Sequence, residues 1–298
     1  MKPPQFTYHA PTSVDEALGL LAEYGDQSKV LAGGQSLFPV LSYRLAAPEH
    51  LIDINRLPGL DQIERTPGGW RVPALVRQRQ AERSAELAAG APLVTEALAQ
   101  VAHPQIRNRG TICGSLAHAD SSAELPAVML ALNARMTIAA ASGIRTVGSD
   151  EFFLFHMTTA IEPHELLLAV EFDEAGPRTY TSFQEFATRK GDFGLAGVAV
   201  TVTFGVGETV ERCRVVAAGV APTPLRLTTV ENLLIGTVLD ERARAAARDA
   251  ARRAVDPAGD VHADAEYRRQ LAAVLVHRAL TAVHDKAVHD KEENNHGA

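Results

Sequence analysis

Two consecutive glycines directly behind a short apolar run, Val30-Leu31-Ala32-Gly33-Gly34-Gln35-Ser36-Leu37, constrain this chain more than any other stretch. The run reads as a buried strand, and Leu37 to Leu45 reads as a helix despite Pro39. Between them, residues without a Cβ can take positive φ and turn several N–H groups toward one anionic group, with the positive end of a helix starting near Ser36 behind them. Such a nest suits a pyrophosphate. A tight strand-to-helix turn that holds no ligand is equally compatible with this loop alone.

The flanks are well punctuated. Ser13 and Glu16 have the spacing of a capping box, Val14, Ala17, Leu18, Leu21 and Ala22 form one helical stripe, and Gly25 sits where a helix stops. Leu51 to Ile54 is a second short strand between Pro48 and Pro58. From Trp70 to Phe172 the pattern stays mixed: Pro92 starts a helix, Glu124 to Leu132 reads as another, Met136 to Ala141 and Ile144 to Val147 form a hairpin, and Glu165 to Phe172 is a strand. After Thr179 come strands at Tyr180 to Phe186, Leu195 to Phe204 and Arg212 to Val220, then helices from Thr229, Asp240 and Asp264. The expected class is α+β, with an N-terminal subdomain at 1–60, a second at 61–177, a C-terminal sheet-and-helix domain at 178–285, and a frayed polar tail at 286–298.

A second loop sharpens the first. His103 to Ser122 is long and polar and contains Gly110 and Gly114, although it joins one apolar helix to the next. Long loops inside compact domains tend to be functional. Gly114, Ser115, Ala117 and Ala119 permit close approach of a flat ligand, while Thr111, Ser115, His118 and Asp120 supply hydroxyl, imidazole and carboxylate groups. Asp120 could accept from ribose hydroxyls. An N-cap and a loop hydrogen bond are the alternative for His118 and Asp120.

Composition narrows the function. With 46% apolar and 22% charged residues and a net charge of -7, the chain is an ordinary globular protein without the basic footprint of a polyanion binder. No apolar run is long enough for a membrane span and no leader-like segment opens the chain, so a cytoplasmic protein is expected. Only Cys113 and Cys213 are present, too few for an all-cysteine cluster, so any redox chemistry belongs to something bound. A P-loop motif is absent, and Gly205-Val206-Gly207 between two strands reads as a hairpin turn. Ser121, Ser122 and His118 are not framed by a nucleophile elbow. Arg242, Arg244, Arg248, Arg252 and Arg253 alternate with acids and alanines, as on a solvated face or a subunit contact. The tail repeats Ala-Val-His-Asp-Lys at 282–286 and 287–291, and its His284, His289 and His296 read as part of a polar terminus rather than as metal ligands.

The segments Ala32 to Leu37 and Gly-Thr-Ile-Cys-Gly-Ser-Leu-Ala-His-Ala-Asp at Gly110 to Asp120 closely resemble the FAD-binding medium subunit of molybdenum hydroxylases, the family of carbon monoxide dehydrogenase medium subunits and xanthine dehydrogenase flavin domains. The resemblance covers almost the whole chain, including Pro48 to Leu57, Ala74 to Gln78, Ile106 to Arg109, Glu124-Leu125-Pro126, Arg189 to Val198 and Gly219 to Pro224. It implies a vanillyl-alcohol-oxidase-like (PCMH-type) two-subdomain FAD-binding fold plus the C-terminal domain. It also implies a cofactor-binding set of Leu31, Ala32, Gly33, Gly34, Gln35, Ser36, Leu37, His103, Ile106, Thr111, Cys113, Gly114, Ser115, His118, Asp120, Glu124, Leu167 and Lys190. Within that set the two loops would wrap the pyrophosphate, Asp120 or Glu124 would lie near the ribose, and His118 and Leu167 would touch the cofactor. Lys190 could place positive charge near the reduced flavin, or be a solvated turn lysine.

Two residues depart from the family. Cys113 stands where a second glycine usually precedes the serine, which would set the loop slightly further from the phosphates, and Pro73 replaces a glycine before Ala74. The backbone donors at Cys113 and Gly114 are expected to survive. By resemblance the chain carries no catalytic acid or base and no metal. It receives electrons on FAD from a [2Fe-2S] small subunit, supplied by a molybdopterin-containing large subunit, and passes them to an external electron acceptor within a dimer of heterotrimers. A stand-alone FAD-dependent oxidase or dehydrogenase and a flavin-less scaffold are the competing functions, and no substrate clamp or base favours the former.

Overall fold

A computed structural model describes residues 2–296, with side chains described for 2–293. In chain order the elements begin β1 (Thr7–His9), α1 (Val14–Tyr24), β2 (Ser28–Leu31), α2 (Leu37–Ser42), β3 (His50–Asp53), β4 (Glu64–Thr66) and β5 (Gly69–Pro73). Six short helices follow: α3 (Gln78–Glu82), α4 (Ala85–Gly90), α5 (Pro92–Leu98), α6 (Pro104–Arg107), α7 (Ile112–His118) and α8 (Glu124–Ala131). Next are β6 (Arg135–Ala140), β7 (Gly143–Gly148), α9 (Ser149–Phe152), β8 (Phe153–Phe155), β9 (Thr158–Thr159) and β10 (Leu166–Asp173). The chain ends with β11 (Thr179–Ala187), β12 (Gly194–Phe204), β13 (Val210–Ala218), β14 (Leu225–Arg226), α10 (Thr228–Leu234), α11 (Glu241–Ala254) and α12 (Ala265–His296).

Packing divides these elements into two compact units. The first comprises the segments through Ser84, His103–Ala119 and Asn133–Asp173. It holds a three-stranded parallel sheet, order β1-β3-β2, and a five-stranded antiparallel sheet, order β4-β5-β10-β6-β7. Helix α1 forms as its cap predicts: Ser13 Oγ accepts from the Glu16 N–H at 3.2 Å, the Glu16 carboxylate accepts from the Thr12 N–H at 2.8 Å, and Ala17, Leu18 and Leu21 turn inward. In β10 the pairing with β6 slips between Leu167 and Ala169, and at this bulge the Leu168 carbonyl accepts from the Ala74 N–H at 2.8 Å.

The second unit comprises Ala85–Ala102, Asp120–Leu132 and the chain from Glu174 onward. Its antiparallel sheet, order β11-β12-β13-β14, packs against α5, α8, α10 and α12, and α11 packs on α10 and α12. The central strand β12 is accordingly apolar along both faces, and Val198, Val200, Val202 and Val215 meet Leu271, Leu275, Ala279 and Leu280 in one core. Each of these valine and leucine side chains contributes about 1.5–3 kcal/mol by leaving water.

Three expectations change. The apolar helices at Pro92 and Glu124, expected within the 61–177 segment, pack against the sheet of the second unit; periodicity fixes that a helix face is buried but not which sheet buries it. The supposed loop from His103 to Ser122 contains α6 and α7, because Pro104 opens one turn of helix and Thr111 caps the next. The tail does not fray at 286: α12 continues to His296, since Leu280, Val283 and Ala287 extend its buried stripe and Tyr180 donates to Asp290 at 2.6 Å. No cluster of three His, Cys, Asp or Glu side chains suited to a metal occurs among the described residues, and the side chain of His296 lies outside them. No described helix is long and apolar enough to cross a membrane. Gly205 to Gly207 is the hairpin turn expected, between β12 and β13.

Candidate cofactor site

Both glycine loops belong to the first unit. After β2 the chain turns at Gly34, φ +73°, and enters α2 with Phe38 and Val40 donating back to the Gly34 and Ser36 carbonyls. Gln35 Nε2 closes on the Gly33 carbonyl at 2.9 Å. The N–H groups of residues 33–37 meet no acceptor among the described residues, so five successive donors stand unsatisfied in a partly buried turn.

The second loop lies against the first. A Cβ built on Gly33 would come 2.4 Å from the Arg109 carbonyl oxygen and 2.8 Å from Gly110 Cα, so only glycine permits this approach. Beyond Gly110, Thr111 Oγ1 accepts from the Gly114 N–H at 2.9 Å, and Ser115 donates to the Thr111 carbonyl. This corrects the expected donor set: the Gly114 amide is taken by its own helix cap. The N–H groups of Thr111 and Cys113 have no acceptor among the described residues and stay available.

Cys113 does not stand off a ligand. It is buried, its thiol donates to the Val72 carbonyl at 3.4 Å, and burial pushes the thiol up to about 12. The side chain is a core contact of α7 on β5, so the expected setback of the loop has no steric cause.

The other candidates fall into two groups. In the first unit, exposed His103 precedes α6, Ile106 is half-buried on it, Ser115 and His118 are half-buried on α7, and Leu167 is buried beside the β10 bulge. In the second unit, Asp120 Oδ1 accepts from the Ser122 N–H at 2.8 Å, the loop bond that was the alternative reading for this residue, while Glu124 is buried at the start of α8 and Lys190 is exposed in the turn between β11 and β12. Burial and then the Glu124 carboxylate push the Glu185 carboxyl on β11 up to about 8. Thus 31–37, 106 and 111–118 share one unit with Leu167, and Asp120, Glu124 and Lys190 belong to the other.

Sequence reasoning missed the polar side chains behind the loops. Asn55 Nδ2 donates to the Ala32 carbonyl at 2.8 Å, and Arg77 donates to Asn55 Oδ1 and to the Arg109 carbonyl, both at 2.6 Å. Asp53 holds Asn55 through its N–H at 2.9 Å and Nδ2 at 2.6 Å, and accepts from the Tyr8 hydroxyl at 2.6 Å. The Asp53-x-Asn55 spacing after a strand signals an Asx turn and could have marked Asn55; nothing local singles out Arg77.

These features define an anion cradle of the kind that holds the pyrophosphate of a dinucleotide cofactor. Residues 4–173 match the family described as the FAD binding domain in molybdopterin dehydrogenase and residues 181–283 match the CO dehydrogenase flavoprotein C-terminal domain, and the chain belongs to this family. It is 40% identical over 99% of its length to the whole of the 6-hydroxypseudooxynicotine dehydrogenase complex subunit alpha of Paenarthrobacter nicotinovorans. It is 38% identical over 95% of its length to 98% of the carbon monoxide dehydrogenase medium chain of Hydrogenophaga pseudoflava. A solved carbon monoxide dehydrogenase from Hydrogenophaga pseudoflava contains a chain that superimposes with a TM-score of 0.92 at 39% identity, covering 95% of this chain and 98% of that one. The protein is therefore an FAD-binding oxidoreductase subunit with the expected α+β fold. The residues present fit that cofactor, because a pyrophosphate is a multidentate anion and the abutting loops offer unsatisfied amides at 33–37, Thr111 and Cys113.

Proposed function

We propose that the amides of residues 33–37, Thr111 and Cys113 hold the FAD pyrophosphate. His103, Ile106, Ser115, His118 and Leu167 would bound the rest of the cofactor within the same unit. Bound FAD supplies the capacity to take up electrons singly or in pairs and release them to another acceptor. In this reading the chain is the flavin subunit of a cytoplasmic heterotrimer, receiving electrons from a [2Fe-2S] small subunit fed by a molybdopterin-containing large subunit and passing them to an external acceptor. Carbon monoxide dehydrogenase and 6-hydroxypseudooxynicotine dehydrogenase, to whose subunits this chain is similar over nearly its full length, support that division of labour.

The observation that carries the reading is the row of unsatisfied amides at 33–37 set against the second loop at the Gly33–Arg109 contact. The chain's own residues act here by position: fixed peptide dipoles meet a phosphate charge without having to reorganise, and the lack of a Cβ at Gly33 permits the two loops to touch. The test is an absorption spectrum of the chain purified alone and again with the subunits that co-purify with it. Flavin bands on the isolated chain, with iron and molybdenum appearing only in the complex, are the expected result. A colourless chain that refuses added FAD would leave a scaffold, and a yellow chain that oxidises an organic substrate alone would be a self-contained oxidase.

A further inference from the structure

We propose that Asn55 and Arg77 are positioning residues for the FAD site, a two-side-chain clasp that fixes the spacing and peptide orientation of the two glycine loops. The inference rests on the proposed pyrophosphate site. Among the described residues no backbone hydrogen bond joins 32–37 to 109–115. The close approach of Gly33 to Arg109 is sterically permitted, but it carries no directional attraction of its own.

The clasp supplies that attraction. One end of Asn55 holds the Ala32 carbonyl at 2.8 Å and the other accepts from Arg77 at 2.6 Å; the second Arg77 nitrogen holds the Arg109 carbonyl at 2.6 Å. A planar guanidinium presents these two donors at a fixed separation, so the spacing of the partner groups is set rather than merely encouraged. Orientation follows as well. Ala32 C=O and Gly33 N–H belong to one trans peptide and point in opposite directions, so tying the carbonyl to Asn55 turns the Gly33 N–H away from the clasp, among the unsatisfied amides. Asn55 is itself oriented by Asp53, and Asp53 by the Tyr8 hydroxyl, so the clasp is anchored on the parallel sheet.

Full-length wild type, Arg77→Ala, Arg77→Lys and Asn55→Asp would be titrated as apoproteins with FAD by flavin fluorescence and with ADP as a pyrophosphate probe lacking the flavin. Thermal unfolding of each apoprotein would be recorded alongside. Arg77→Ala is expected to weaken FAD and ADP by the same factor, tenfold or more, with the apo unfolding midpoint little changed. Arg77→Lys should fall between the two, because one ammonium cannot span both acceptors. Asn55→Asp keeps the acceptor for Arg77 and loses the donor to Ala32, so it should weaken both ligands too, and it decides the matter if Arg77→Ala does not fold. FAD affinity within twofold of wild type in folded variants, or a defect with FAD that ADP does not share, would overturn the clasp. Failure of wild type to bind either ligand would instead overturn the pyrophosphate site on which it rests.

Discussion

Each unit carries a glycine turn behind a strand, and the two turns share a backbone angle: Gly34 has φ +73° and Gly207 has φ +72°. Their surroundings differ. The turn at 205–207 closes on itself, with Gly205 donating to the Thr209 carbonyl at 2.9 Å and Thr209 Oγ1 to the Val206 carbonyl at 3.2 Å, and a Cβ on Gly207 would meet nothing. The turn at 33–37 leaves its amides unsatisfied and has Arg109, Gly110 and Phe38 packed where a Cβ would stand. Positive φ marks a turn; unsatisfied donors with close neighbours mark a cradle.

The sharpest way to break this comparison is one alanine in each turn. At Gly33 the added methyl would meet backbone, which cannot swing aside, so Gly33→Ala is expected to force the loops apart, cost about 2–3 kcal/mol and weaken FAD about a hundredfold. At Gly205 the nearest atom is a Glu211 carboxylate oxygen at 3.3 Å, the far end of a mobile side chain, and Gly205→Ala should change stability by less than about 1 kcal/mol and FAD affinity not at all. Urea unfolding and FAD titration measure both. Equal effects at the two positions would show that the cradle is an ordinary turn.

The next pair isolates crowding from backbone strain. Gly34→Ala and Gly207→Ala place alanine at the same positive φ, which costs about 1 kcal/mol in each. Gly34 adds the Phe38 ring at 2.7 Å, so its variant should be about 1 kcal/mol worse than the Gly207 variant. A difference near zero would mean that Phe38, 42% exposed, swings out without cost.

How much of this was legible beforehand follows the range of the signals. Gly33-Gly34, the Ser13 cap and the short apolar strand runs are local statements, and the chain obeys them. Thr111 reads as a ligand hydroxyl in sequence, yet it caps α7, because a threonine three residues before a glycine amide serves its own backbone first. The sequence sets the Cys113 thiol on the ligand side, whereas in the fold it donates to the Val72 carbonyl, 41 residues away. Arg77 reaches Arg109 across 32 residues, a distance over which no periodicity carries information. The helices at 92 and 124 were legible as helices and not as neighbours of the second sheet, because any apolar face suits any apolar stripe.

In the second unit the group that burial displaces is a carboxyl. Glu185, displaced by burial and by Glu124 from 4.5 to about 8, keeps in the folded chain a proton that the unfolded chain releases between those values. The folded state therefore binds more protons across that window, and stability falls as pH rises from about 4.5 to 8. Glu185→Gln should remove that slope and leave the protein more stable than wild type at pH 8, with no difference below pH 4.5. Thermal unfolding across pH 4 to 9 tests it, and parallel curves for the two proteins would show that Glu185 is not the titrating group.

The smallest effect comes from the tail repeat, where the polar groups of the second unit satisfy one another. Lys286 Nζ bonds Glu96 at 2.5 Å and the Thr181 carbonyl at 2.8 Å, yet Glu96 also accepts from the Phe183 N–H at 3.0 Å. Removing the lysine leaves the carboxylate with a donor, and the pair is half-exposed, so Lys286→Ala should cost about 0.5 kcal/mol and less in high salt. Removing the carboxylate instead strands the Phe183 amide on β11, so Glu96→Ala should cost about 1–2 kcal/mol at any salt concentration. Neither change touches the glycine loops, and FAD affinity should stay at the wild-type value in both. Equal costs for the two variants would mean that the ion pair, and not the backbone bond, ties helix α5 to the sheet.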